Sequence, residues 1–166
     1  MNKLRMKRPA MPFHIVLVEP EIPQNTGNIA RLSAATGTIL HLVGKLGFKV
    51  DDKSVRRAGL DYWPLVTVKQ HPDLDDCLRD IGGEPVPYLL TTKSDRCYLD
   101  AAFEPGAVLV FGKETKGLSE TIRDRYPERC FSIPTVEDTV RSLNLANAVS
   151  IVLFEALRQT GALNRR

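Results

Sequence analysis

The stretch Ala107-Val108-Leu109-Val110-Phe111-Gly112-Lys113-Glu114-Thr115-Lys116-Gly117-Leu118-Ser119 decides the fold class. Five apolar residues in a row suit a strand covered on both faces. A polar loop bounded by two glycines follows, and Ser119 is a residue type that starts helices. Strand, loop and helix in that order form the repeating unit of an α/β protein. Further strands are predicted at Phe13–Val18, Thr38–Val43, Leu65–Lys69, Val86–Thr91 and Cys130–Ile133, beside Ala107–Phe111. Helices are predicted over Asn25–Thr36, Asp52–Ala58 and Pro72–Ile81, with Gly37, Gly59 and Gly82 as left-handed stops, and a shorter one starts near Ser119. The expected architecture is α/β, with a mostly parallel sheet and flanking helices.

Working outward, 166 residues suffice for one ordinary core. A 43% apolar and 26% charged composition belongs to globular chains. No apolar run approaches the roughly 20 residues of a membrane helix, and no cleavable apolar segment follows the N-terminus. A cytoplasmic protein is expected. Residues 1–12 are expected to be a disordered basic arm and 13–166 a single domain. The arm's Lys3, Arg5, Lys7 and Arg8 account for the formal charge of +3; without these four the chain has one more acid than base. A uniformly basic nucleic-acid surface is thereby excluded, and any phosphate contact must come from the arm or from local patches.

Cys77, Cys97 and Cys130 are odd in number and far apart, with no CxxC pair. They support neither a disulfide framework nor a structural zinc, and no metal is expected. His14 and His41 fall inside apolar runs and read as packing residues. The final helix, predicted over Leu143–Thr160, carries an apolar stripe wider than one core face needs, including Val149, Ile151, Val152, Leu153, Phe154 and Leu157. Either a homodimer face or enclosure within the monomer would account for that width.

Three polar segments follow predicted strands, where open α/β sheets place ligands. In Glu19-Pro20-Glu21-Ile22-Pro23-Gln24-Asn25-Thr26-Gly27-Asn28-Ile29-Ala30-Arg31, Asn25 or Thr26 can cap a helix that carries Arg31 two turns in. The Gly112–Ser119 loop partly matches the phosphate loop GxxxxGK[ST], but Leu118 stands where the lysine is required, which excludes a P-loop hydrolase. In Val140-Arg141-Ser142-Leu143-Asn144-Leu145-Ala146-Asn147, Ser142 reads as an N-cap that can also face a ligand.

Asn25–Arg31, Phe111–Leu118 and Arg141–Val149 together resemble the three ordered motifs of SPOUT methyltransferases. Val18–Asn25 and Arg56-Arg57-Ala58-Gly59-Leu60-Asp61-Tyr62-Trp63 narrow the resemblance to the small branch similar to tRNA (cytidine/uridine-2'-O-)-methyltransferases acting at the wobble nucleotide. It covers Phe13 to Gly161. The resemblance implies a C-terminal trefoil knot, a homodimer through the last helix, tRNA as partner and no membrane. It implies S-adenosyl-L-methionine as cofactor, with S-adenosyl-L-homocysteine as product, held by Leu90, Thr91, Gly112, Glu114, Ile133, Ser142 and Leu143. Arg31, Ser142, Asn144 and Glu114 become the expected catalytic group, and Asn25, Arg31, Arg56, Arg57 and Tyr62 the expected RNA contacts. Glu114 is expected to steady Arg31 or a neighbouring amide. Lys113 departs from the proline common in relatives. The rival expectations are a SPOUT 2'-O-methyltransferase for another tRNA or rRNA ribose, and a catalytically silent RNA-binding protein.

Overall fold

The structure is a computed structural model that describes residues 4–50, 53 and 63–163. Six strands form one sheet: β1 (His14–Val18), β2 (Ile39–Val43), β3 (Val68–His71), β4 (Tyr88–Leu90), β5 (Val108–Phe111) and β6 (Cys130–Phe131). Their order is β3-β2-β1-β5-β4-β6, and every neighbouring pair is parallel. The helices whose bounds lie among the described residues are α1 (Pro23–Thr36), α2 (Leu74–Ile81), α3 (Glu120–Arg125) and α4 (Leu145–Gln159). Parallel neighbours require crossover connections, and helices in those crossovers cover both sheet faces.

Alternation along the strands divides the core in two. Ile15, Leu17, Leu40, Leu42, Leu109 and Phe111 pack with Ile29 and Ala30 of α1 and Val149, Val152, Leu153, Ala156 and Leu157 of α4. Val16, Val43, Leu89, Val108 and Val110 pack with Leu74 and Cys77 of α2 and with Leu118. Successive strand side chains point to opposite faces, so a continuous apolar run supplies both layers.

Most predicted elements agree with the observed ones to within a few residues. The third strand is the largest displacement. Leu65 lies in a 3-10 turn (Trp63–Leu65) and is 72% exposed, and the strand begins at Val68. Strand β3 is the sheet edge, and Trp63 and Val66 on either side of Leu65 pack against the core while Leu65 faces outward. The helix predicted over Asp52–Ala58 lies, apart from Lys53, outside the described residues.

Two capping assignments are corrected. Ile22, in extended conformation, is the N-cap of α1 with no side-chain cap bond, and Pro23 occupies the first turn, where its missing N–H costs nothing. Asn25 and Thr26 sit inside the helix and are buried. At α4 the cap is Asn144: its Oδ1 accepts from Ala146 N at 2.9 Å and Asn147 N at 3.3 Å, so the helix starts two residues later than predicted. Ser142 is left exposed ahead of it. At the far end of α1, Gly37 adopts φ 69° and stops the helix as predicted.

The wide stripe of α4 is only partly consumed by the core. Ile151 and Phe154 remain 37% and 44% exposed, between exposed Asn147 and Arg158. The core encloses Val149, Val152, Leu153 and Leu157, and Ile151 and Phe154 are the part of the stripe it does not cover. In the N-terminal arm, Met6 packs against the core and Arg8 lies against Gly37.

Candidate active site

A cleft of about 930 Å³ opens at the carboxyl ends of β4, β5 and β6. Three loops build it: the one after β4 (Leu90–Lys93), the one after β5 (Phe111–Gly117), and the chain from Ser132 into the start of α4. Main-chain bonds tie the first and third, with Thr91 N donating to Phe131 O at 2.9 Å and Tyr98 N to Ser132 O at 2.9 Å.

The second loop is held by its own backbone. A Cβ placed on Gly112 would lie 2.0 Å from the carbonyl carbon of Gly117 and 2.1 Å from Leu118 N. The loop folds back onto residue 112, and no side chain fits between.

Side chains then lock this loop to the N-terminus of α1. Glu114 Oε2 accepts from Glu21 N at 2.8 Å, and Oε1 accepts from Ile22 N at 3.1 Å and from Asn25 Nδ2 at 3.2 Å. In return the Glu21 carboxylate accepts from Thr115 N at 3.1 Å and from Thr115 Oγ1 at 2.9 Å. Lys113 Nζ pairs with Glu19 at 3.1 Å. A carboxylate beside the first turn also meets the positive end of the helix dipole. The Asn25 amide passes the connection on: its Oδ1 accepts from Asn144 Nδ2 at 3.0 Å, while Asn144 Oδ1 caps α4. Glu114, Asn25 and Asn144 thus form one relay joining the three polar segments. Of the two partners expected for Glu114, the neighbouring amide is the one it holds.

All seven expected cofactor contacts, Leu90, Thr91, Gly112, Glu114, Ile133, Ser142 and Leu143, line this single cleft, together with Asn25 and Asn144. Asn25 is only 5% exposed. Arg31 is not among the lining residues; it lies on the exposed side of α1, two turns beyond Asn25. Arg56, Arg57 and Tyr62 lie outside the described residues. Composition hid one feature. Lys93, Lys113, Lys116 and Arg141 all line the cleft, against Glu114 as its one lining carboxylate among the described residues. Each cation is unremarkable in sequence, and their proximity arises only when three loops converge.

The chain belongs to the SpoU rRNA Methylase family, whose pattern matches residues 12–154. It is similar to a tRNA (cytidine(34)-2'-O)-methyltransferase of Methylovorus glucosotrophus, 47% identical over 148 residues, covering 89% of this chain and 95% of the relative. A protein of the same name from Burkholderia pseudomallei is 47% identical over 151 residues, 90% of this chain and 96% of the relative. Among solved structures, one described as "Structural insights into the 2-OH methylation of C/U34 on tRNA" superposes with TM-score 0.83 at 40% identity, over 90% of this chain and 96% of that one. The SpoU methyltransferase AviRb from Streptomyces viridochromogenes, in complex with the cofactor AdoMet, superposes with TM-score 0.77 at 27% identity, over 92% of this chain and 62% of that one. The fold is that of the SPOUT methyltransferases.

Proposed function

We propose that this protein methylates the ribose 2'-hydroxyl of the tRNA wobble nucleotide, position 34, using S-adenosyl-L-methionine, in the cytoplasm. The observation that carries this reading is the convergence of all seven expected cofactor contacts on one cleft, in a chain 47% identical to enzymes named for that reaction.

The cleft fits the cofactor by size and by donor set. Its volume is within the range of small-molecule sites. Leu90, Ile133 and Leu143 offer apolar walls to a purine, while Thr91, Gly112 and Ser142 bring main-chain and hydroxyl groups. Bound there, S-adenosyl-L-methionine supplies an electrophilic sulfonium methyl and leaves as S-adenosyl-L-homocysteine. Glu114, Asn25 and Asn144 hold the walls in register, which is the alignment an in-line displacement requires. Ser142 and Asn144 orient the ribose.

Arg31 acts on the hydroxyl as a positive charge that lowers its pKa. A guanidinium stays protonated in proteins and cannot serve as a neutral base at moderate cost. Lys93, Lys116 and Arg141 receive backbone phosphates at the cleft, with Arg56, Arg57 and Tyr62 as further RNA contacts. A homodimer through α4 covers Ile151 and Phe154; since α1 packs beside α4, the same contact carries Arg31 to the edge of the interface. The segment from Cys130 to Gln159 threads past the loop after β4 as the trefoil knot expected of the SPOUT fold.

The test is nucleoside mass spectrometry of tRNA and rRNA from cells with and without the gene. One 2'-O-methyl nucleoside should disappear from tRNA; its disappearance from rRNA instead, or no loss at all, rejects the assignment. Arg31→Ala should abolish transfer by the purified protein while calorimetry still records cofactor binding.

A further inference from the structure

On the half of the sheet away from the cleft, three imidazoles lie in a row across β1, β2 and β3. His14 Nδ1 is 2.9 Å from His41 Nε2, and His41 Nδ1 is 2.9 Å from His71 Nε2. Strand register accounts for the row: Val16 pairs with His41 and His41 with Lys69, which sets all three rings on the face covered by α2. His41 and Cys77, the latter on α2, are both 0% exposed. The Cys77 sulfur and one ring nitrogen from each of His41 and His71 lie within 4.8 Å of one another. Both nitrogens of this fully buried ring are partnered, and each partner is another imidazole nitrogen rather than a backbone group. Two imidazoles and a thiolate are, however, the donor set of zinc and related borderline or soft transition metals.

We propose that His41, His71 and Cys77 hold one transition-metal ion of the zinc class, with solvent as the fourth ligand. In a tetrahedral zinc site the ligand atoms stand ~3.3–3.8 Å apart, so the two nitrogens open by a few tenths of an ångström and the sulfur closes by about an ångström at most. With Nδ1 of His41 given to the metal, its proton sits on Nε2 and is donated to His14 Nδ1. His14 thereby fixes the tautomer, the usual task of the partner behind a metal-bound imidazole. His71 is half-buried on the edge strand and gives the ion its route from solvent.

The electrostatics agree with this geometry. Burial first, then the neighbouring His14 and His71, hold His41 down to about 3, so its lone pairs are available at neutral pH. Burial first and Asp80 second push the Cys77 thiol up to about 12. Cys77 binds as the thiolate, so the ion displaces the sulfur's proton to solvent. Among the described residues, Lys69 on β3 and Asp80 on α2, paired at 2.8 Å, are the charged groups facing the cluster, and they act on His41 in opposite directions. The ion's role is structural, fastening α2 to the edge of the sheet, far from the methyl-transfer cleft.

The full chain, stripped with chelator, is titrated with Co2+, which reports thiolate ligation by a sulfur-to-cobalt charge-transfer band. One equivalent per chain should bind, produce that band and be displaced by Zn2+. Cys77→Ala should lose the band, and His14→Ala should weaken uptake ~10- to 100-fold. Zn2+ should raise the Tm of the wild type and not of Cys77→Ala; if that variant does not fold, His71→Gln, at a half-buried position, takes its place. No band in the wild type, or a band unchanged in Cys77→Ala, overturns the proposal. Neither measurement uses tRNA or a methyl donor, so failure here leaves the methyltransferase reading standing.

Discussion

The two halves of the sheet solve the burial of polar groups in opposite ways. On the β5-β4-β6 side, polar side chains come from loops at the strand ends and are satisfied by backbone N–H groups and amides, as Glu114 is by Glu21, Ile22 and Asn25. On the β1-β2-β3 side, they come from the strands themselves and meet only one another, as His41 meets His14 and His71. Loop polarity can be arranged around a ligand without disturbing the ladder. Strand polarity is committed to the core, and its cost is recovered only by neighbours on adjacent strands.

The largest expected effect breaks the cleft half alone. Gly112→Ala forces a Cβ into the backbone of Gly117 and Leu118 and should cost about 3 kcal/mol, read as a lowered urea midpoint with cofactor binding lost. Hydrogen exchange should show the amides after β5 opening first, with those of β2 and α2 still protected. Equal loss of protection in both halves would mean that they do not differ in the way described.

A smaller effect sharpens the other half. In chelator, the folded chain resists protonating His41 until about pH 3, whereas the unfolded chain takes up that proton below the ordinary value of 6.5. Stability is therefore full above pH 6.5 and falls as pH drops towards 3, by at most ~1.4 kcal/mol per pH unit. Burial also lowers His14, which adds in the same direction. Urea midpoints across that window should flatten in His41→Leu; an unchanged slope would remove the imidazole row as its origin.

The smallest effect concerns the join within the cleft. Asn144→Ala removes the α4 cap and the bond to Asn25 together and should cost about 1 kcal/mol of stability. Cofactor affinity should fall further than that loss explains, because one wall is released. A Tm shift with wild-type affinity would reduce Asn144 to a cap.

What the sequence by itself determined was the class of fold and the place of the cleft. Continuous apolar runs such as Ala107–Phe111 mark strands covered on both faces, and each of the three polar segments lies within one short stretch of chain, so local pattern suffices to find them. The caps were less legible. Ser142 and Asn144 are both good cap residues, and only the hydrogen bond to Asn25, 119 positions away, selects Asn144. The reason for Gly112 was hidden likewise, since it depends on how the loop closes on itself. His14, His41, His71 and Cys77 are single residues on four separate elements, and nothing local distinguishes them from packing residues. Parallel register and the docking of α2 bring them together, as loop convergence brings Lys93, Lys116 and Arg141 to one rim. Local propensity acts over a few residues, whereas these contacts exist only once distant segments have been packed, and that is what the tertiary structure decided.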